Sequence, residues 1–576
     1  MIKKKKISEA IVYIIPLAVI LIFTGINLPI NYYPKIFGDE YGYWAAGAWF
    51  SGLDWGNITS MNEYYGWGYG LLLSVILRLP LSAKACYVSA ILLNGVMLWG
   101  IYCIAYKISL EIFPKEKKTV CCVLGMIAAF LPSSFYYTQY TISEIILGFF
   151  YWLLIYAMFI LVKEYRTSTV LFVAAVDICL LSIHLRTVGI VAVSFLCVVY
   201  FGFAHNQKKK IYLIGIYALV LLIGIFGVIF IKKLYLESIA LDFIQSHDKN
   251  TVVGQTRKLQ SLFSLEGVIS FGSNIFGRLY TVFSNTFLLA GYAILKSIII
   301  SFTKRKEEKT VSDIIAIICT INTLSMIAIS SLYTICDEKY RFDILIYSRY
   351  HEFTLGILVL LGIKFLRDDF KSKKLGICII PISFLPAILL TKIVLNCFAF
   401  DAPDTNLYIN NPISFFWKMR VLNPINLFSL AIIVSIIVFG IIAVTVKRKF
   451  EFLTVIGVLI ILFNVVQSNI ILKEGCFSWS TSYTENAEKI TDFIESKNME
   501  DSIYFMNDDN VTNVDILQFM LKDHSVKVIN YEMVDDINQT PAIVITTRDY
   551  KNNYLFESYD LVYEANRLKI WSVENE

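Results

Sequence analysis

Charged side chains are scarce in this sequence. Asp, Glu, Lys and Arg make up 17% of its 576 residues, whereas 57% are hydrophobic and 15% are aromatic. That balance leaves too little polar surface for a soluble globule of this size, so an ordinary soluble protein is excluded and a membrane protein is indicated. The net charge is only +5, and the basic residues stand in short runs between apolar stretches, which marks membrane topology and not nucleic-acid binding.

Paired cysteines and nucleotide-binding motifs are also missing. None of the eleven cysteines belongs to a CxxC pair, and eight lie in apolar stretches, which leaves Cys336, Cys397 and Cys476 outside them. This spacing excludes a disulfide framework and a cysteine metal site. The polar end of the chain has no glycine-rich phosphate loop and no nucleophile elbow, so it carries no catalytic motif of those kinds.

Long apolar runs dominate what is present. They predict an all-α polytopic bundle of about thirteen transmembrane helices, at residues 9–30, 84–106, 119–138, 142–162, 168–184, 187–204, 211–231, 281–302, 311–335, 346–365, 375–396, 426–446 and 451–472. The first run follows the basic start MIKKKK and lacks a small-residue cleavage site. We therefore expect an uncleaved first span and a cytoplasmic amino terminus.

One further apolar stretch, Gly66 to Leu81, is short, glycine-rich and interrupted by Arg78 and Pro80. If it does not span, the Lys and Arg runs between the other stretches fall on the cytoplasmic side, as the positive-inside rule requires. We therefore expect a helix at the membrane surface. The long extracytoplasmic segments are then 31–83, 232–280, 397–424 and the carboxyl-terminal tail of a multi-pass protein in the cell membrane.

The composition changes near Tyr483, where polar residues and shorter periodicities take over. The patterns predict helices at 485–496 and 513–521 and strands at 502–506, 526–529, 542–546, 561–563 and 568–571. Such alternation is typical of a small α/β domain. We therefore divide the chain into a transmembrane domain, residues 1–475, and an extracytoplasmic α/β domain, residues 476–576, which would cover a site or recognise an acceptor.

Two adjacent carboxylates, Asp39 and Glu40, follow the first span and open a helix of aromatic and small residues. A carboxylate at a helix start caps the helix and favours its dipole, and one beside the low-dielectric membrane can also be tuned as a general base. The residues alone leave both roles open. Glu63 stands further along the same loop, just before the glycine-rich stretch that begins at Gly66.

Other ionisable groups are predicted at the same membrane face. Glu144 opens the fourth span, as a helix cap or a site residue, and Arg186 lies in a short outer turn, where it binds a phosphate or reaches for lipid headgroups. Charged residues that enter a membrane helix are costly unless they face a cavity. On this ground we select Arg349 at the start of the tenth span, and with it its neighbours Tyr347 and Tyr350. The alternative for Arg349 is an ion pair with Glu352.

Together these features resemble the GT-C superfamily of membrane glycosyltransferases, which includes the protein O-mannosyltransferases and the lipid A aminoarabinose transferase. The resemblance rests on the D-E-x-x-Y-x-x-A segment that begins at Asp39, the aromatic and glycine-rich helix after it, the number of spans and the outer tail, and it covers residues 1–475. It implies that Asp39 acts at the active site. It also implies that Glu63, Glu144 and the Arg349-Tyr350 pair match the acidic and R-Y positions of the family.

The resemblance implies a glycosyltransferase that uses a polyprenyl-phosphate sugar. A hexosyl or pentosyl group would pass, with inversion, to a hydroxyl of a glycan, lipid or protein, with Asp39 as general base. Of the catalytic pair Asp39 and Glu40, we expect Glu40 to cap the helix or to orient its neighbour. Basic groups would neutralise the leaving phosphate, and the candidates are Arg186, Arg349, Arg257 and Lys258. No cofactor is required by the pattern, although a divalent metal held by Glu63 or His247 is compatible with it.

Two functions of other classes stay open. Thirteen spans, a lone Asp177 within a span and a non-spanning apolar helix would also suit a transporter or a flippase for lipid-linked sugars, although no internal repeat supports one. A non-catalytic assembly subunit is the other alternative. In each case Asp177 is expected to be neutral or hydrogen-bonded inside the bundle.

Overall fold

The computed structural model describes residues 2–35, 37–59, 65–205, 209–239, 258–336, 342–371, 376–397, 424–497, 502–506, 511–529, 542–550, 556 and 559–573. Most of this part of the chain is helical, as predicted. Long apolar segments become helices because a backbone surrounded by lipid has to satisfy its hydrogen bonds within the same segment.

The first half of the described chain is a succession of helices with short connections. They are α1 (Ile2–Gly25), α2 (Phe37–Ser51), α3 (Gly56–Thr59), α4 (Gly68–Leu77), α5 (Ala83–Ile112), α6 (Lys118–Ala129), α7 (Pro132–Thr138), α8 (Glu144–Lys163), α9 (Thr167–Ile183), α10 (Val188–Ala204) and α11 (Lys210–Ser238). Local chemistry sets some of these boundaries. Ser82 caps α5, because its Oγ accepts a hydrogen bond of 3.3 Å from the backbone N–H of Ala85.

The second half continues in the same way before it leaves the bundle. Its helices are α12 (Leu265–Ser284), α13 (Leu289–Thr303), α14 (Val311–Tyr333), α15 (Leu355–Lys371), α16 (Gly376–Cys397), α17 (Pro424–Arg448), α18 (Leu453–Ile471), α19 (Ser478–Ser496) and α20 (Val511–Met520). A capping box starts α14, since Thr310 and Asp313 accept hydrogen bonds from each other's backbone N–H.

The described helices form a multi-pass membrane bundle. Seven of them are long and apolar enough to cross a bilayer, or nine if each of two bent pairs is one span. Five shorter apolar helices accompany them, at Ala10–Gly25, Gly68–Leu77, Lys118–Ala129, Thr167–Ile183 and Phe384–Cys397. The exact number of thirteen spans therefore stays a prediction. With ten residues, α4 is about 15 Å long, half of a hydrocarbon core of about 30 Å, and its position at the membrane surface stays a prediction.

The continuous span predicted over residues 281–302 is interrupted. Helices α12 and α13 meet at an angle of 112°. Between them Phe287 and Leu288 adopt positive φ values of 48° and 62°, and the Leu288 N–H closes the turn on the Phe283 carbonyl at 2.8 Å. The polar residues Ser284, Asn285 and Thr286 stand at this bend, but 285–288 contain no glycine or proline, so the usual sequence sign of a kink is missing.

The glycine-rich stretch packs two helices closely together. A Cβ added to Gly70 of α4 would lie 2.6 Å from the Cβ of Ala46 in α2, and one added to Gly66 would lie 2.1 Å from the carbonyl oxygen of Ile183. Neither space can hold a side chain. The glycines thus let α2, α4 and the end of α9 meet backbone to backbone, which fixes the position of α2.

The carboxyl-terminal part contains a small five-stranded sheet, as predicted. Its strands are β1 (Ser502–Met506), β2 (Val526–Ile529), β3 (Ala542–Thr547), β4 (Asp560–Glu564) and β5 (Leu568–Val573). They lie in the order β2-β1-β3-β5-β4, with β1 parallel to β2 and β3 and the last two pairs antiparallel. A π-helical turn, Leu472–Phe477, joins α18 to α19, so the helical backbone continues across the domain boundary predicted at 475/476.

Candidate active site

Four ionisable residues that are far apart in sequence meet at one end of the bundle. Asp39 lies in the first turn of α2, and Glu144 is the first residue of α8. Arg186 lies in a 3-10 turn, Leu185–Thr187, between α9 and α10, and Arg349 lies in another, Ser348–Tyr350, shortly before α15. All four stand at helix ends or in turns.

The four side chains form a chain of ion pairs. Arg349 donates from Nη1 to Oδ2 of Asp39 over 2.5 Å and from Nε to Oε1 of Glu144 over 2.7 Å. Arg186 donates from Nη2 to the same Glu144 oxygen over 3.1 Å. Glu144 is therefore shared by two guanidinium groups, and Arg349 by two carboxylates. We call this arrangement the Asp39–Arg349–Glu144–Arg186 chain.

The members of the Asp39–Arg349–Glu144–Arg186 chain differ in exposure. The side chain of Asp39 is 27% exposed, whereas those of Arg349, Arg186 and Glu144 are 11%, 7% and 3% exposed. Within the described residues, Oε2 of Glu144 and Nε of Arg186 are buried and have no hydrogen-bond partner. A molecule that enters the site reaches the carboxylate of Asp39 first, and unused donor and acceptor atoms lie behind it.

Tyr65 is a site residue that the sequence did not reveal. Its hydroxyl donates to Oδ1 of Asp39 over 2.7 Å, and its ring stacks on Tyr43 with centroids 5.5 Å apart. Arg349 and Tyr65 thus hold the two oxygens of Asp39 from different sides. A tyrosine in a loop full of aromatic residues carries no distinct signal, and only its position directly before Gly66 relates it to the glycine-rich stretch.

Glu40 has surroundings unlike those of its neighbour Asp39. It is fully buried and accepts four hydrogen bonds, from the backbone N–H of Lys35 at 2.6 Å, the hydroxyl of Tyr87 at 2.9 Å, and the N–H and Oγ1 of Thr141 at 2.8 and 2.6 Å. These bonds tie α2 to α5 and to the turn before α8. The geometry gives Glu40 the position of an orienting carboxylate.

Aromatic residues surround the basic side of the site. The Tyr347 hydroxyl lies 3.4 Å from Nη1 of Arg349. The guanidinium carbon of Arg186 lies 5.2 Å from the ring centre of Tyr350 and 5.9 Å from that of Phe353, within range of cation–π attraction. The predicted residues Tyr347, Arg349 and Tyr350 are thus brought together with Arg186.

The alternative ion pair between Arg349 and Glu352 is replaced by other contacts. Glu352 accepts hydrogen bonds from the hydroxyl of Ser348 at 2.8 Å and from the amide of Asn285 at 3.4 Å. Arg349 bonds instead to Asp39 and Glu144. Sequence spacing alone could not decide between these partners.

A small pocket lies against Glu144 and Arg349. Its walls are largely apolar and include Ile101, Leu131, Trp152 and Phe353. The hydroxyl of Tyr137 also faces this region and, among the described residues, has no hydrogen-bond partner. The ionic chain therefore borders a low-dielectric space, in which its charges act more strongly than in water.

The remaining predicted site residues lie elsewhere or outside the described residues. Lys258 donates to the backbone carbonyl of Ile335 over 2.9 Å. Glu63, His247 and Arg257 fall outside the described ranges. In the part of the chain that the structure describes, no three His, Cys, Asp or Glu side chains come together as ligands for a metal ion.

The pKa of Lys35, a residue next to the site, is shifted strongly. It lies between α1 and α2, and burial lowers its pKa to about 8, although nearby Glu40, Glu488 and Glu485 act in the opposite direction. Its Nζ lies 5.8 Å from the ring centre of Tyr32. Because desolvation outweighs the carboxylates, this lysine is a buried base whose charge is costly.

Comparisons with known proteins agree with this architecture. No family model matches the chain, and no curated protein matches it in sequence. Two crystal structures of ArnT from Cupriavidus metallidurans match it in three dimensions, one in the apo state and one bound to undecaprenyl phosphate. The chain shares the ArnT fold.

The likeness extends over nearly all of both molecules. The structure of ArnT bound to undecaprenyl phosphate gives a TM-score of 0.55 at 11% identity and covers 97% of this chain and 98% of its own. The apo ArnT structure gives a TM-score of 0.54 at the same identity and covers 97% of each. ArnT is the lipid A aminoarabinose transferase, a GT-C enzyme, so the resemblance read from the sequence is confirmed at the level of the fold.

Proposed function

We propose that this protein is a membrane glycosyltransferase that moves a sugar from a polyprenyl-phosphate donor to an acceptor hydroxyl. The observation that carries the proposal is the Asp39–Arg349–Glu144–Arg186 chain, in which an accessible carboxylate is joined to two arginines. A base beside an anion-binding group is what transfer from a phosphate ester requires. The ArnT fold supports the same reaction class, because one ArnT structure holds undecaprenyl phosphate.

Asp39 is the general base of the proposed reaction. Its carboxylate takes the proton of the acceptor hydroxyl, the hydroxyl oxygen bonds to the anomeric carbon, and the bond from that carbon to the phosphate oxygen breaks. The leaving polyprenyl phosphate keeps the bonding electron pair. A single displacement of this kind inverts the anomeric centre. Tyr65 and Arg349 hold both Asp39 oxygens, so the base is oriented before the acceptor arrives.

The two arginines are the proposed phosphate-binding groups. Arg349 and Arg186 each carry a planar group of N–H donors, and Nε of Arg186 has no partner among the described residues. Glu144 holds both guanidinium groups in place and limits their mutual repulsion. Charge that develops on the leaving oxygen meets donors already fixed in a water-poor site, which stabilises the transition state without reorganisation.

Further parts of the proposal concern location and accessory groups. The active site and the carboxyl-terminal domain face the extracytoplasmic side of the cell membrane, and the acceptor is a glycan, lipid or protein. Arg257 and Lys258 assist donor binding. A divalent ion held by Glu63 or His247 is proposed as an optional component, and loss of transfer on treatment with EDTA, restored by Mg²⁺ or Mn²⁺, tests it.

Transfer from a labelled donor tests the reaction and the base together. Membranes that contain wild type, Asp39→Asn or Asp368→Asn are supplied with a radiolabelled polyprenyl-phosphate sugar. Asp368 lies on α15, is half-exposed and pairs with Lys364, so Asp368→Asn is the control. We expect transfer by wild type and the control and a loss of about 100-fold or more in Asp39→Asn. Wild-type activity in Asp39→Asn removes Asp39 as base, whereas flipping of the donor without transfer indicates a transporter.

A further inference from the structure

A phenylalanine of the carboxyl-terminal domain is enclosed by aromatic residues of the membrane domain. Phe519, in the last turn of α20, is 1% exposed. Its ring centroid lies 4.9 Å from Trp44, 6.2 Å from Tyr87, 6.3 Å from Trp55 and 6.5 Å from Tyr33, in edge-to-face arrangements. The four residues come from α2, α5 and the segments on either side of α2. We call them the Phe519 cage.

Two members of the Phe519 cage also hold the start of α2. Tyr87 donates its hydroxyl hydrogen to Glu40 over 2.9 Å. Trp44 donates from Nε1 to Oγ1 of Thr141 over 2.8 Å, and the same hydroxyl donates to Glu40 over 2.6 Å. Glu40 is the direct neighbour of Asp39. A continuous set of contacts therefore runs from the carboxyl-terminal domain to the backbone that carries the proposed base.

Hydrogen bonds fix the same interface around the ring. Nε1 of Trp55 donates to the backbone carbonyl of Lys522 over 2.8 Å, and the backbone N–H of Val528 donates to the side chain of Asn57 over 2.7 Å. The carboxylate of Asp54 accepts from the hydroxyl of Ser525 over 3.0 Å. These bonds orient the carboxyl-terminal domain on the membrane domain. The ring of Phe519 lies between them and contacts both Trp44 and Tyr87.

We propose that Phe519 is a positioning residue for Asp39, through which the carboxyl-terminal domain holds α2 in the orientation that transfer requires. The ring fills the space between Trp44 and Tyr87, so that their polar atoms stay on Thr141 and Glu40. Without it, Trp44 and Tyr87 can move towards the vacated volume and the first turn of α2 loosens. The role in α2 order stands on contacts alone, and the effect on turnover rests on the proposed function.

Hydrogen exchange on the full-length protein in lipid nanodiscs tests this directly. We compare wild type, Phe519→Ala, Phe519→Leu and the matched control Phe493→Ala, whose ring belongs to the same domain but stacks on Tyr563. For peptides from α2 we expect exchange to be faster by about tenfold in Phe519→Ala, by less in Phe519→Leu, and unchanged in Phe493→Ala. Leucine keeps an apolar side chain of comparable bulk, so it serves if the alanine variant loses the fold of its domain.

Each outcome of the exchange experiment either supports the proposal or overturns it. Unchanged α2 exchange in Phe519→Ala overturns the proposal, whether or not the sheet β1–β5 remains protected. If the sheet is lost in Phe519→Ala and α2 loosens with it, Phe519→Leu decides: an intermediate α2 exchange with a protected sheet supports the proposal, and wild-type exchange overturns it.

Transfer kinetics give the second readout. We expect kcat to fall by about tenfold in Phe519→Ala while KM for the donor stays within about twofold, and Phe519→Leu to recover most of kcat. Unchanged kcat in Phe519→Ala with loosened α2 contradicts the link from α2 to Asp39. If wild type itself shows no transfer but Phe519→Ala loosens α2, the proposed function fails and the structural role of Phe519 remains.

Discussion

The guanidinium of Arg349 joins Asp39 to Glu144, with Nη1 2.5 Å from Oδ2 of Asp39 and Nε 2.7 Å from Oε1 of Glu144. One planar group thus sets the distance between an accessible carboxylate and a buried one. Its two donors point in different directions from one rigid plane, which a single ammonium group cannot reproduce.

Replacing Arg349 by lysine should therefore impair transfer. Lysine keeps the charge but cannot bond both carboxylates, so we expect kcat/KM for the donor to fall by about 100-fold. Initial rates with labelled donor measure the effect. Arg166→Lys changes an exposed arginine that pairs with Glu164, and it should keep wild-type rates. Equal rates in both variants would show that the fork geometry of Arg349 has no role in the reaction.

Removing the hydroxyl of Tyr65 should reduce turnover with little change in donor affinity. In Tyr65→Phe, Oδ1 of Asp39 loses its 2.7 Å donor while the ring stacking on Tyr43 is kept. We expect kcat to fall by about tenfold, the equivalent of one hydrogen bond of about 1.4 kcal/mol. Tyr200→Phe, at a half-exposed position, is the control. A rise in KM without a fall in kcat would place Tyr65 in donor binding instead.

Glu40→Gln should lower stability, in contrast to Asp39→Asn. An amide NH2 group would face one or more of the donors from Lys35, Tyr87 and Thr141, which costs about 1–3 kcal/mol per mismatched buried group. Asp39 is partly exposed, so in Asp39→Asn water can accept from the amide NH2 group and serve the donor that faces it. We expect a lower thermal midpoint in detergent for Glu40→Gln only. A wild-type midpoint for Glu40→Gln with lost transfer would assign Glu40 to the chemistry.

Lys35 should make stability rise with pH. Its pKa of about 8 in the folded protein lies below the ordinary value of 10.5, so between these values the unfolded chain binds more protons. The free energy of unfolding then increases as pH rises through this window, by up to about 3 kcal/mol. Thermal midpoints from pH 7.5 to 10 measure the slope.

Two variants test this assignment: one removes the charge of Lys35, and the control removes the charge of a neighbouring lysine. In Lys35→Met, the rise in thermal midpoint that wild type shows between pH 7.5 and 10 should be smaller. Lys84→Met, at an exposed lysine whose Nζ lies 3.8 Å from the ring centre of Tyr32, should keep the wild-type slope. If Lys35→Met and wild type share the same slope, the burial of Lys35 does not control this pH dependence.

The sequence predicted the location of the ionic residues better than their partners. Asp39, Glu144, Arg186 and Arg349 were expected at one membrane face, because hydropathy and basic loops fix which helix ends share a side. Their pairing depends on tertiary packing, so the choice of Arg349 between Glu352 and Glu144 could not be read from spacing. The role of Tyr65 was hidden for the same reason.

The same contrast holds for the fold. Alternating patterns predicted the five strands, since period two is a local property, but the order β2-β1-β3-β5-β4 depends on contacts between distant segments. The bend between α12 and α13 was missed because Phe287 and Leu288 take left-handed φ values that their residue types do not favour. Hydropathy depends on composition alone and does not reveal the backbone conformation of such a turn.

The shared carboxylate Glu144 has a consequence for charge balance. Two carboxylates and two guanidinium groups make the Asp39–Arg349–Glu144–Arg186 chain neutral at rest. In the proposed reaction, protonation of Asp39 leaves that chain with one net positive charge, at the moment when the departing phosphate oxygen gains a negative one. The acceptor proton thus supplies the counter-charge for the leaving group, and return of the site to neutrality when Asp39 loses its proton would favour release of the lipid phosphate.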